Sequence, residues 1–150
     1  MAKMSFESLM ALKERLGRPL IMGHRGAMGH APENTMASFR KAVELGVEAI
    51  ELDVHLSSDG KLVVIHDETL DRTTDGQGPV VAKTLTELKA LDAGSWYKPE
   101  FAGERIPTLE EVLDWARDRV PVVIEVKFCH ELEAITQATI AEVERRRANW

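Results

Sequence analysis

This 150-residue chain holds a single cysteine, Cys129. One thiol excludes an internal disulfide framework and leaves the redox compartment open. Long apolar runs are missing as well. The opening stretch, residues 1–17, is interrupted by Lys3, Glu7, Lys13, Glu14 and Arg15, which fits neither a signal peptide nor a membrane span. No later segment is apolar for long enough to insert stably in a bilayer. Clustered positive charge is scarce too: no Lys/Arg run precedes residue 145, and the formal net charge is −6. Nucleic acid is therefore a poor partner, because binding a phosphate backbone needs grouped cations. Internal repeats and low-complexity tracts are absent. What remains is ordinary globular composition, 44% hydrophobic and 29% charged. That predicts one domain, residues 1–150, of a soluble cytoplasmic protein. An acidic chain that acts on a phosphate must bring positive charge locally, through a metal ion or a few placed Arg and Lys.

The pattern along the chain is strand and helix in alternation. Phe6, Leu9, Met10 and Leu16 recur at helical spacing and Gly17 stops the run. The apolar run from Pro19 to Met22 reads as a buried strand opening into Gly23, His24, Arg25 and Gly26. Asn34 is expected to cap a helix that carries Met36, Phe39 and Val43 and ends at Gly46. Residues 47–56 form a second strand. Ser57 to Gly60 turn the chain, and Leu62 to Ile65 form a third, ending at His66 and Asp67. Residues 67–83 are polar and rich in turn formers, which predicts a surface loop. Thr84 with Glu87, and Thr108 with Glu111, are capping boxes that open two further helices. Residues 121–126 make a fourth strand, and about 131–147 a last amphipathic helix through Leu132, Ile135 and Val143. Such alternation implies an α/β fold with a largely parallel sheet. The short join between Asp53 and Leu62 leaves no room for a crossover helix, so that pair is either a hairpin or an extended return.

Ionisable residues gather at the C-terminal ends of these apolar strands: His24 and Arg25, Glu51 and Asp53, His66 and Asp67, Glu125 and Lys127. In α/β sheets and barrels this is the end at which ligands bind. Strand periodicity puts Glu51, Asp53 and His55 on one face and Ile50, Leu52 and Val54 on the other. Two carboxylates on one buried face repel and lose hydration, so they call for a cation or a proton. A hard divalent ion, Mg²⁺ or Ca²⁺, satisfies them, with Glu125 as a third oxygen ligand. The plainer alternative is the polar outer face of an edge strand. Glu125 argues against it, because it interrupts an aliphatic run. His24 and His66 end different strands and are candidates for proton transfer. Arg25 and Lys127 can bind phosphate oxygens, and can equally make salt bridges to the neighbouring carboxylates. His30, and His130 beside Cys129, supply no plausible zinc site.

Read together, these residues resemble the glycerophosphodiester phosphodiesterase family. The likeness rests on His24-Arg-Gly26, Ala31-Pro-Glu-Asn-Thr35, Glu51-Leu-Asp53, Val64-Ile-His-Asp67 and Thr69 to Gly76. It continues through Leu91 to Trp96, Ile106 to Leu109 and Ile124-Glu-Val-Lys127, in the right order from about residue 20 to 127. The resemblance implies a (β/α)₈ barrel of the TIM type, with about four strands present and a small inserted segment near 67–107. It makes His24 and His66 the acid/base pair, Glu51, Asp53 and Glu125 the ligands of a divalent metal, and Arg25 and Lys127 the phosphate contacts. Glu33 belongs to a family motif and is expected either to serve structure or to support the residues of the site. The implied reaction is metal-assisted cleavage of a glycerophosphodiester to glycerol 3-phosphate and an alcohol. Two alternatives stand beside it: a phospholipase-type phosphodiesterase on a related barrel, and a non-catalytic barrel fragment.

A full barrel of this kind runs to ~250 residues, so the chain is expected to be truncated on its C-terminal side. Four strands predict incomplete cover over Ile50, Leu52, Val64 and Val123. They also predict open sheet edges that favour self-association.

Overall fold

The computed structural model describes residues 6–127 and 131–148. Cys129 and His130 lie outside the described residues. Five helices and four strands follow one another: α1 (Phe6–Leu16), β1 (Met22–Gly23), α2 (Met36–Glu44), β2 (Ala49–Leu56), β3 (Leu62–Val64), α3 (Leu85–Ala90), α4 (Leu109–Ala116), β4 (Val122–Val126) and α5 (Leu132–Ala148), with short 3₁₀ turns at Val80–Ala82 and Pro99–Phe101.

Strand β2 is central. It pairs in parallel with β4 along Ile50–Val54, with Glu51 opposite Val123 and Asp53 opposite Glu125. On its other side it meets β1 in parallel at Ala49 and Ile50, and β3 antiparallel from Val54 to Leu56. The short join is thus a hairpin. Ser57 N–H donates to Lys61 O at 2.9 Å, and Gly60, at φ +72°, supplies the left-handed residue that the turn requires.

The two faces of β2 have different company. Ile50, Leu52 and Val54 are fully buried in a core with Phe39 and Ala42 of α2, Leu109, Val112 and Leu113 of α4, and Ile135 of α5. Val122, Ile124 and Val126 of β4 pack against the same core. Both predicted capping boxes are present, on Thr84 with Glu87 and on Thr108 with Glu111. Glu51, Asp53 and His55 face the other way and are buried too.

Four expectations need correction. Ile50, Leu52 and Val64 do not lack cover: they are at most 1% exposed, because side chains of α2, α4 and α5 pack over them. Val123 points to the opposite face and is 38% exposed. The run from Pro19 to Met22 is not a buried strand. Ile21 and Met22 are exposed, and only Met22 and Gly23 pair with β2. Residues 67–83 are more than a surface loop. Leu70 and Val80 are buried with Val63, Ile65, Leu88, Ala93 and Ile106 in a second small core, tied by backbone bonds from Leu70 N–H to Gly78 O and from Val80 N–H to Glu68 O. Lastly, Thr35 rather than Asn34 caps α2, its hydroxyl accepting from Ser38 N–H at 3.3 Å. Asn34 sits one residue earlier at φ +57°, and its amide is directed elsewhere.

Candidate active site

The loop after β1 is shaped by close packing on α2. Gly26 has φ +80°, and a Cβ there would lie 2.4 Å from Ser38 Oγ, so only glycine fits. Its neighbour Arg25 is held at φ +51°, a conformation costly for a residue with a side chain. Three hydrogen bonds compensate. Arg25 N–H donates to Glu51 Oε2 at 2.8 Å, while Arg25 O accepts from Ser38 Oγ at 2.9 Å and from Asn34 N–H at 3.0 Å. The Asn34 amide donates to Asp53 Oδ2 at 2.8 Å. Both strained residues are therefore locked onto the carboxylates of β2.

Glu51, Asp53 and Glu125 converge as the sequence predicts: one oxygen from each lies within 4.8 Å of the others. Burial pushes the Glu51 carboxyl up from its ordinary pKa. The Arg25 N–H only partly opposes this, and the charges of Asp53 and Glu125 add to it. Glu51 Oε1 is buried and accepts no hydrogen bond. Asp53 is fully buried, whereas the Glu125 side chain is 52% exposed at the open rim.

Arg25 and Lys127 sit among these carboxylates. Arg25 Nη1 donates to Glu33 Oε1 at 2.9 Å and its Nε lies 3.5 Å from Asp53 Oδ2. Lys127 Nζ is 2.8 Å from Asp53 Oδ1 and bridges to Glu125. Burial works against the Lys127 charge, but these carboxylates outweigh it and raise the pKa. His24 is exposed, with Nε2 3.9 Å from Glu51 Oε2 and Nδ1 3.1 Å from Met28 Sδ. His66 contacts Asp67 through Nδ1 at 2.6 Å.

A link absent from the sequence reading joins the two loops. Arg72 donates to both oxygens of Glu33, at 2.8 and 2.9 Å, and to both oxygens of Asp67, at 2.7 and 3.0 Å. All seven candidate residues thereby belong to one polar network with Glu33, Asn34, Asp67 and Arg72. Burial opposes ionisation of Glu33, yet Arg72 and then Arg25 hold its carboxyl below the ordinary value. Asp67 was marked by its place at a strand end and Asn34 only as a helix cap, whereas Arg72 had no signal beyond its membership of a family motif. Within this network five carboxylates (Glu33, Glu51, Asp53, Asp67, Glu125) face three permanent cations (Arg25, Arg72, Lys127). With neutral histidines, two negative charges are left over. Oxygen donors, an unpartnered buried carboxylate oxygen and this charge excess suit a hard divalent cation.

Among the described residues no helix is long and apolar enough to cross a membrane. Residues 24–149 match the glycerophosphoryl diester phosphodiesterase family. A glycerophosphodiester phosphodiesterase of Caldanaerobacter subterraneus is 55% identical over 111 residues, which are 73% of this chain and 46% of that protein. One from Bacillus subtilis is 41% identical over 138 residues, covering 87% and 47%. Among solved structures, an Oleispira antarctica phosphodiesterase in complex with the product sn-glycerol-3-phosphate superposes with a TM-score of 0.80 at 41% identity, covering 87% of this chain and 53% of that one. The Agrobacterium tumefaciens glycerophosphodiester phosphodiesterase gives 0.73 at 46%, covering 80% and 53%. The chain spans about half the length of these relatives, and its four-stranded sheet is part of a TIM-type barrel. By sequence and by fold, this chain belongs to the glycerophosphoryl diester phosphodiesterase family.

Proposed function

We propose that this chain hydrolyses glycerophosphodiesters to glycerol 3-phosphate and an alcohol, with a divalent ion, Mg²⁺ or Ca²⁺, held by Glu51, Asp53 and Glu125. One observation carries the reading: a partly buried network of five carboxylates and three cations, short of two positive charges, at the C-terminal end of the sheet. Such an ion supplies Lewis-acid stabilisation of charge on the phosphate oxygens.

The chain's own residues divide the remaining work. Arg25 presents a planar fork and Lys127 a point charge beside the carboxylates, the two cation types that recognise phosphate oxygens. One histidine of the pair His24 and His66 takes the proton of the attacking hydroxyl, either water or the neighbouring glycerol hydroxyl; the second route gives a cyclic phosphate, which water then opens to glycerol 3-phosphate. The other gives a proton to the departing alcohol oxygen as its bond to phosphorus breaks. With one ring neutral and the other protonated, the transfer completes without net proton gain. Val123 adds a second element to the proposal. It is an exposed apolar residue on the site face of β4, whose only strand partner among the described residues is β2. We infer that the isolated chain self-associates there, which sedimentation velocity tests.

Assay with glycerophosphocholine in the presence and absence of EDTA tests the main reading. Release of glycerol 3-phosphate that EDTA abolishes and added Mg²⁺ or Ca²⁺ restores is the expected result. Turnover unaffected by EDTA refutes the metal, and absence of turnover with saturating metal refutes the activity.

A further inference from the structure

The two candidate proton carriers are held by different chemistry. His24 Nδ1 faces a thioether sulfur, Met28 Sδ, which is a weak acceptor. His66 Nδ1 faces the Asp67 carboxylate at 2.6 Å. Asp67 is itself gripped: Arg72 Nε donates to its Oδ2 at 2.7 Å, and Arg72 Nη2 to its Oδ1 at 3.0 Å. The same guanidinium spends its remaining reach on Glu33, a buried carboxylate. Arg72 thus makes four donations to the four oxygens of two carboxylates, which fixes its plane as well as its position. The hydrogen bonds from Arg72, then His66 itself, hold the Asp67 carboxyl well below the usual carboxylate range.

An ionised carboxylate has no proton to donate. The short contact therefore requires that His66 Nδ1 carry the hydrogen. The backbone is pinned from the other side, since His55 Nε2 lies 3.0 Å from His66 O, and a carbonyl only accepts. Main chain and ring are both fixed.

We propose that Asp67 is a positioning residue that holds His66 in the tautomer protonated on Nδ1, reserving Nε2 for proton exchange, and that Arg72 braced on Glu33 keeps Asp67 in place. This rests on the reading of His66 as one of the proton-transfer pair. It predicts a functional division inside the network: Arg25 and Lys127 serve the carboxylate trio, whereas Arg72, equally charged, serves a histidine. A purely structural clamp predicts instead that any residue pair of similar shape does as well.

The experiment is histidine nitrogen NMR on the full chain at about pH 8.5, above the ordinary histidine pKa, combined with steady-state kinetics. Wild-type His66 is expected to show a protonated Nδ1 and an unprotonated Nε2. Asp67→Asn keeps the shape but offers an amide hydrogen to Nδ1, so it is expected to move the proton to Nε2. It should also lower kcat by ~10²-fold or more with KM little changed. Arg72→Lys keeps the charge but loses the fork, and is expected to give a mixture of tautomers and an intermediate kcat. A wild-type proton on Nε2, or an unchanged tautomer in a folded Asp67→Asn, overturns the inference. So does a tautomer change that leaves kcat at the wild-type level. If the wild-type chain shows no diesterase turnover, the proposed function fails, and the NMR comparison alone decides whether Asp67 sets the His66 tautomer.

Discussion

Replacing Glu51 by Gln should cut the metal response of this chain by more than half without unfolding it, because the hydrogen bond that Glu51 gives the fold survives the change and its carboxylate charge does not. Glu51 Oε2 accepts the Arg25 N–H at 2.8 Å, a role that a Gln carbonyl can keep. Its Oε1 is buried with no donor, and a buried acceptor left unpaired costs about 1–3 kcal/mol, more when it is charged. In EDTA the variant is therefore expected to melt at the wild-type temperature or above it. A divalent ion reverses the ranking. At 100 times its dissociation constant it stabilises the wild type by ~2.7 kcal/mol, and at this chain length each kcal/mol moves Tm by about 2–4 °C, or roughly 5–10 °C in all. Glu51→Gln removes one of three oxygen ligands and should gain less than half of that shift. Differential scanning calorimetry of both proteins, in EDTA and in millimolar Mg²⁺ or Ca²⁺, reads all four numbers. An equal metal shift in the two proteins refutes the reasoning, as does a variant that melts several degrees lower in EDTA.

Further outcomes follow from the same geometry. His24→Ala and His66→Ala should each lower kcat by ~10²–10⁴-fold while leaving the metal-induced Tm shift intact; loss of that shift would make the histidine a metal ligand. Gly26→Ala places a methyl group against Ser38 at a left-handed residue and should lower Tm and displace the Arg25 N–H from Glu51, seen as a weaker metal response in the same scans. Acid should unfold the chain partly through Asp67 and Glu33. Their folded pKa values lie below the unfolded ones, so the stability they contribute is present above the ordinary carboxylate range of ~4 and lost as pH falls through the lowered values. Urea unfolding from neutral to acid pH should show that slope in the wild type and a shallower one in Arg72→Gln.

The sequence made the outer half of this fold legible and the inner half only in part. Ile50, Leu52 and Val54 alternate with Glu51, Asp53 and His55, and a period of two decides which residues face together. The convergence of the three carboxylates was readable for that reason: Glu125 falls opposite Asp53 once the strands pair in parallel. Capping boxes on Thr84 and Thr108 were readable because their hydrogen bonds are local. What escaped depends on distance along the chain or on backbone strain. Asn34 looks like a helix cap until its left-handed backbone turns the amide toward Asp53, 19 residues away. Arg72 lies in a turn-rich stretch where a lone cation reads as solvated, and its partner Glu33 is 39 residues earlier. No periodicity connects such a pair.

These two halves also explain how the site tolerates its own chemistry. Strained backbone at Arg25 and Asn34, an unpartnered carboxylate oxygen and an excess of negative charge all oppose folding. They are concentrated on one face of β2 and in the loop packed on it. The opposite face carries the aliphatic core, where Phe39, Leu52, Leu109 and Val112 are completely buried. Each such side chain contributes about 1.5–3 kcal/mol, comparable to the cost of one unsatisfied polar group in the site. Because the central strand is shared, stability gained on its outer face holds in place the groups on its inner face. An ion that neutralises the carboxylates removes part of the opposing cost without moving the core, so metal binding can tune the site while the helices over β2 stay as they are.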